Sequence, residues 1–307
     1  MKTKIATLLA LILTFAGLTA CMGWTSVTPA EPLPWPSVIE PTGRLASTTQ
    51  GTLPFRTPVG ESFVLTTQPT EPSTAPPVTS GERAQSLTVL MYHQFYDPEL
   101  GESPKRGAEN NWMRVELFEA HVRSMKENGV YFPSMDEVEA FVLGTGTLPH
   151  PSAVITVDDG QLNFFTLAVP ILEKYAVPAI GFVITDTYGA QKQAMYVPPW
   201  VSLQSHTHAM HINGIPVSAH PYEDIVADLR RSQELLGGAD RVTVFAYPYG
   251  HTGDATIAAL QETGFRLAFT TKHGRVTPGM DPLLLPRIRV NALDTVETLR
   301  RKIDVSF

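Results

Sequence analysis

From Leu87 onward, short apolar runs alternate with segments whose apolar positions recur every three or four residues. The runs LTVLMYH (87–93), AVITV (153–157), AIGFVIT (179–185), VSLQS (201–205), VTVFA (242–246), RLAFTT (266–271) and IRV (288–290) predict strands. Between them, Leu117, Phe118, His121, Val122 and Met125 share one helical face that stops at Gly129, and Ser134-x-x-Glu137 has the spacing of a capping box. Further helices are predicted over 164–175, 222–236 and 256–264, with a last one starting near Asp294. Strand and helix in alternation imply parallel strands joined by crossover helices. About seven such repeats over roughly 220 residues fit a barrel better than an open sheet. The expected fold is therefore α/β, a distorted (β/α)7-type barrel.

The first 86 residues follow another pattern. Lys2 and Lys4 precede an apolar run from Ile5 to Leu18 and then small residues before Cys21, the organisation of an export signal. The run is shorter than the roughly 20 residues a membrane-spanning helix needs. Leu18-Thr19-Ala20-Cys21 resembles the lipobox of bacterial lipoproteins, which implies cleavage before Cys21 and lipidation of its thiol. Residues 22–86 carry eleven of the 26 prolines, with abundant Thr and Ser and no sustained helical period. They read as an extended, disordered linker. The expected organisation is a signal peptide at 1–20, a lipidated Cys21 with a linker to residue 86, and one domain over 87–307, held outside the cytoplasm on a bacterial membrane.

Composition narrows the chemistry. The chain has 307 residues, 43% hydrophobic and 17% charged, enough for a sizeable core. A formal net charge of -7 gives no overall attraction to nucleic acid, and none is expected as a partner. Cys21 is the single cysteine, so the domain has no internal disulfide and any metal must be held by His, Asp or Glu.

Polar residues cluster where apolar runs end: His93, Asp158-Asp159, His206/His208/His211 and Tyr247-Pro248-Tyr249-Gly250. In a parallel barrel, strand C-terminal ends converge on one face, so these four segments would meet. On a regular strand Asp158 and Asp159 would point to opposite faces, and both enter one site only if the chain turns there, which Gly160 permits. Neutral imidazole and carboxylate suit Zn²⁺ or a similar divalent ion, and two His plus one Asp leave a position open for water.

Thr156-Val157-Asp158-Asp159-Gly160, the His-Thr pair with a downstream His and the Tyr-Pro-Tyr-Gly turn resemble the polysaccharide deacetylases of carbohydrate esterase family 4, which carry the NodB homology domain. The likeness runs from about Leu87 to the C-terminus. With the Tyr92-His93 pair on the first strand it is greatest to the circularly permuted branch that deacetylates biofilm poly-N-acetylglucosamine. The resemblance implies a metal-dependent hydrolase that releases acetate from N-acetylated polysaccharide, with Zn²⁺ the first candidate for its ion and Co²⁺ or Ni²⁺ the alternatives; a monomer is the expected form. It assigns the metal to Asp159, His206 and His211, the general base to Asp158, the general acid to His93 and an oxyanion contact to the backbone N–H of Tyr249. Two other readings use the same residues: an O-acetyl esterase acting on cell-wall glycan, and a glycan-binding lipoprotein without turnover.

Three positions depart from the commoner family pattern. Ala246 stands where an Arg opens the Tyr-Pro-Tyr-Gly motif, leaving Arg287 and Arg289 as candidate replacements near Asp158; Val157 replaces a Phe; and QKQAMYVPPWVSLQ is short and proline-broken for the usual helix. Trp200 and Tyr249 are the aromatic candidates for stacking on sugar rings. The His cluster leaves its own question. Strand periodicity would pair His206 with His208, whereas the resemblance pairs His206 with His211 and gives His208 a supporting or substrate-facing place.

Overall fold

The computed structural model describes residues 82–304 except 105, 106 and 108. The expected signal peptide, Cys21 and the linker up to residue 81 lie outside the described residues. Among the described residues, the Glu82 carbonyl accepts from the His150 N–H and the Ala84 N–H donates to the Leu148 carbonyl.

Seven parallel strands close into a barrel: β1 (Thr88–Tyr92), β4 (Ala153–Val157), β5 (Ala179–Val183), β6 (Val201–Ser205), β7 (Val244–Ala246), β8 (Leu267–His273) and β9 (Leu285–Arg289), in that order around the ring. All seven coincide with expected strands, shifted by up to three residues at their ends. β2 (Gln94–Tyr96) and β3 (Trp112–Arg114) form a separate two-stranded parallel sheet just beyond the C-terminal end of β1. The helices are α1 (Val115–Glu127), α2 (Met135–Val142), α3 (Val169–Tyr175), α4 (Ala190–Gln193), α5 (Tyr222–Leu235), α6 (Asp254–Glu262) and α7 (Val296–Ile303).

The strand period of two sorts the core. Leu90, Tyr92, Ile155 and Val157 join a cluster with Phe118 and Val122 of α1 and Val169 and Leu172 of α3, while Val89, Val154, Phe182, Val244, Phe269 and Leu285 join one with Val138, Phe141 and Val142 of α2. The first set is the outer layer and the second fills the lumen. α2 opens with the expected capping box: Ser134 N–H donates to Glu137 Oε2 at 2.8 Å and Glu137 N–H to Ser134 Oγ at 3.3 Å. The predicted helix over 164–175 is wound in two ways, as a π-turn over Phe164–Ala168 and then α3. Pro170 has no N–H to donate, which interrupts the i→i−4 ladder there.

The barrel is distorted where the site lies. β1 and β4 pair over five residues, but β6 and β7 share a single register point, Ser205↔Phe245. Gln204 stands in for the absent ladder, its Oε1 accepting from the N–H groups of Thr243 and Val244 at 3.0 and 2.9 Å. A bulge separates β8 from β9 between Phe269 and His273.

Candidate active site

Inward parity carries Arg287 into the lumen. It lies two residues after Leu285, a lumen-filling residue, and two before Arg289. Its guanidinium is fully buried, 5.7 Å from the centroid of the Phe182 ring. It donates to Asp158 through two bonds of 2.7 Å, to Thr156 Oγ1 at 3.0 Å and to the Thr270 carbonyl at 2.9 Å. The replacement cation for Ala246 is therefore Arg287. Arg289 instead donates to Asn111 Oδ1 at 2.6 Å.

Burial alone would raise the Asp158 carboxyl, which is 2% exposed, but the Arg287 charge and its hydrogen bonds outweigh that and hold it far below the usual carboxylate range. Asp158 is an anion at every working pH. His93, placed just past β1, brings its Nε2 to 4.0 Å from Asp158 Oδ2, an electrostatic contact rather than a hydrogen bond. Burial lowers its pKa to about 4, with Asp158 opposing and Arg289 and Arg287 reinforcing, so the ring is neutral at pH 7.

Asp159 reaches the same face because the chain turns in two left-handed steps, φ 71° at Asp159 and 57° at Gly160. A Cβ at Gly160 would lie 3.1 Å from Val183, so both conformation and space favour glycine. Lys192 of α4 donates to the Gly160 carbonyl at 2.8 Å and supports the turn from outside.

The second metal-ligand candidate, His206, is 2% exposed and donates from Nδ1 to the Ala246 carbonyl at 2.7 Å. That bond fixes the tautomer, because a carbonyl only accepts, and leaves the Nε2 lone pair pointing away from it. Burial lowers the His206 pKa to about 4, so the ring is neutral. The chain then leaves the strand at Thr207, φ 75°, and returns with His211, whose ring lies 5.0 Å from that of His206.

Both Nε2 atoms face Asp159 Oδ1, at 3.7 Å from His206 and 3.6 Å from His211. Those separations are too long for hydrogen bonds. A neutral imidazole lone pair opposite a carboxylate is repulsive unless a cation lies between them. Asp159 shows the same demand: burial and the adjacent Asp158 charge push its pKa up to about 7. Asp159, His206 and His211 place their ligand atoms within 4.8 Å of one another, a two-nitrogen, one-oxygen donor set that fits Zn²⁺ or a similar divalent ion. The His206 Nδ1 bond is the outer contact that such ligands use to hold orientation.

His208 lies apart from this set. Its Nδ1 and the Thr185 hydroxyl share a hydrogen bond of 3.0 Å. Tyr249 also adopts a left-handed conformation, φ 57°, and lays its ring 4.4 Å from that of His211, with 41% of the residue exposed at the rim. Gly250 follows at φ 77°, where a Cβ would meet Thr271 Oγ1 at 2.0 Å, so the turn is confined to glycine at that point. Trp200 packs against the outer core cluster with Tyr188 and Leu203 and serves the fold there. The segment before β6 retains a helix of four residues, α4, which delivers Lys192, a residue the sequence reading did not single out.

Residues 145–268 match a family model described as polysaccharide deacetylase. The match spans Asp158, Asp159, His206, His211 and Tyr249, and leaves His93 and Arg287 outside it. A poly-beta-1,6-N-acetyl-D-glucosamine N-deacetylase of Staphylococcus epidermidis is 29% identical over 205 residues, covering 61% of this chain and 70% of the relative. Its namesake from Staphylococcus aureus strain MRSA252 is 27% identical over the same shares. Among solved structures, the Streptococcus pyogenes deacetylase PplD in complex with acetate superposes with a TM-score of 0.59 at 23% identity, over 71% of this chain and 98% of that one. IcaB from Ammonifex degensii superposes at 0.57 and 23% identity, over 73% and 99%. At these identities the superpositions establish the shared barrel.

Proposed function

We propose that this chain, whose residues 145–268 match a polysaccharide deacetylase model, hydrolyses the acetamide groups of N-acetylglucosamine-containing polysaccharide and releases acetate. The observation that carries this reading is the pairing of a carboxylate clamped by Arg287 with an Asp-His-His set whose ligand atoms lie within 4.8 Å of one another. It is a hydrolase of carbon–nitrogen bonds, and the relatives favour a β-1,6-linked glucosamine polymer over an O-acetyl ester.

Asp159, His206 and His211 would hold the divalent ion, with Zn²⁺ the best match to the donor set. When bound, such an ion lowers the pKa of water toward about 7 and polarises an acyl oxygen. The chain's own residues manage the protons. Asp158, kept ionised by Arg287, retains lone pairs on both oxygens and takes a proton from the attacking water. His93 starts neutral; its Nε2 lies 4.0 Å from Asp158 Oδ2, too far for direct transfer, so the proton passes by way of one intervening water before His93 delivers it to the departing nitrogen, which is a poor leaving group unless protonated. The backbone N–H of Tyr249, in the strained turn beside His211, is the donor assigned to the developing oxyanion.

The test is acetate release from poly-N-acetylglucosamine, chitin oligomers and O-acetylated glycan side by side. N-acetylated substrate should be turned over and O-acetylated glycan should be the weaker substrate. The reverse order would replace this reading by an esterase. The lipid anchor at Cys21 belongs to the same proposal and rests on the residues Leu18–Cys21.

A further inference from the structure

We infer that Asp228 of α5 is the positioning residue of the metal site: its carboxylate fixes the turn that carries the chain from His206 to His211. This inference rests on the reading of Asp159, His206 and His211 as metal ligands.

A stretch that leaves a strand in a left-handed step strands its amide groups, and each buried N–H needs a partner. Here three consecutive amides are met by side chains. Thr207 N–H donates to Ser205 Oγ at 3.2 Å, His208 N–H to Asp228 Oδ1 at 2.7 Å and Ala209 N–H to Asp228 Oδ2 at 2.7 Å. Ser205 Oγ is tied in turn to Ser232 Oγ at 2.8 Å. Asp228 and Ser232 are four residues apart on α5 and so stand on one face, one turn above the other. Both are buried, Asp228 at 9% exposure and Ser232 at 0%.

The next residue is held by the same helix. Met210 is buried in a cluster with Ile225, Val226 and Leu229, which leaves His211 at the point where the chain turns back toward Asp159. From the opposite side, Thr185 N–H and Asp186 N–H donate to the carbonyls of Thr207 and His208 at 3.2 and 3.0 Å. The turn is therefore moulded between α5 and the end of β5. Among the described residues, the carboxylate bonded to these amides is that of Asp228, and charge-assisted bonds of this length are the stronger ones. Without that carboxylate, the separation of His206 and His211 would no longer be set before an ion arrives.

The experiment uses the full chain stripped of metal, with Zn²⁺ affinity read by chelator competition and amide hydrogen exchange read at residues 207–209. Asp228→Asn should weaken Zn²⁺ binding by about 10- to 100-fold, the range for loss of an outer-shell contact, and should speed exchange at His208 and Ala209 in the metal-free protein. Ser232→Ala provides a milder break of the same mould, with an expected loss of about 3-fold, and answers the question if Asp228→Asn does not fold. A folded Asp228→Asn, or in its absence Ser232→Ala, that keeps wild-type Zn²⁺ affinity would overturn the inference. A wild-type chain that binds no Zn²⁺ would instead overturn the metal reading on which it rests.

Discussion

Asp158 and Asp159 are chemically identical neighbours, and the fold gives them opposite partners. Asp158 has both oxygens on Arg287, while Asp159 faces the Nε2 atoms of His206 and His211. Their substitutions should therefore separate. Asp158→Asn should retain metal by elemental analysis and lose at least about 100-fold in rate, the contribution of a general base, while Asp159→Asn should lose the metal itself. Identical behaviour of the two would contradict the division of roles. The same scale decides among the histidines. His211→Ala should forfeit both metal and acetate release; His208→Ala, whose ring is spent on Thr185, should keep its metal. Strand periodicity favoured His208 over His211 because it assumes an unbroken strand, and the φ of 75° at Thr207 breaks it. Arg287 was legible only as one of two arginines, since IRV begins the strand at residue 288 whereas it starts at Leu285, and parity with the lumen needs that start.

At the level of elements, the barrel strands and the longer helices could be read from the chain because each carries enough apolar residues in one period to declare itself. α4, β2 and β3 have three or four residues each, too few to show any period. Asp228 reads in sequence as one acid on an amphipathic helix, and only the packing of α5 on the 205–209 turn gives it a task. α1 carries a prediction of its own through His121, fully buried, with its Nε2 2.7 Å from the Asp294 carbonyl and its Nδ1 3.2 Å from the Tyr92 hydroxyl. Burial lowers its pKa from 6.5, so the folded state keeps it neutral while the unfolded chain takes up a proton. The folded state then binds fewer protons, and stability present above about pH 6.5 is lost as pH falls toward the lowered value. His93 and His206, both lowered to about 4, act with the same sign and together outweigh Asp159, which is raised to about 7 and acts against them. The melting temperature should fall between pH 7 and pH 5, and the fall should be shallower in His121→Gln. An equal slope in both proteins would remove His121 from the account.

Across the whole molecule, a barrel gathers the ends of strands far apart in sequence, from His93 to Arg287, over one mouth. That convergence follows from strand count and parallel order, which is why the alternation of apolar runs was enough to expect it. The N-terminal residues belong to a different part of the proposal. Cys21→Ser should abolish incorporation of labelled palmitate and release the protein from the membrane fraction, and unchanged labelling would exclude lipidation at that thiol. The central claim is that hydrolysis depends on an ion held by Asp159, His206 and His211. The measurement that addresses it most directly is acetate release from poly-N-acetylglucosamine by chain stripped with a chelator and then reconstituted with one equivalent of Zn²⁺. The stripped protein should release no acetate and the reconstituted protein should recover full turnover, whereas full turnover by protein verified to be metal-free would contradict it.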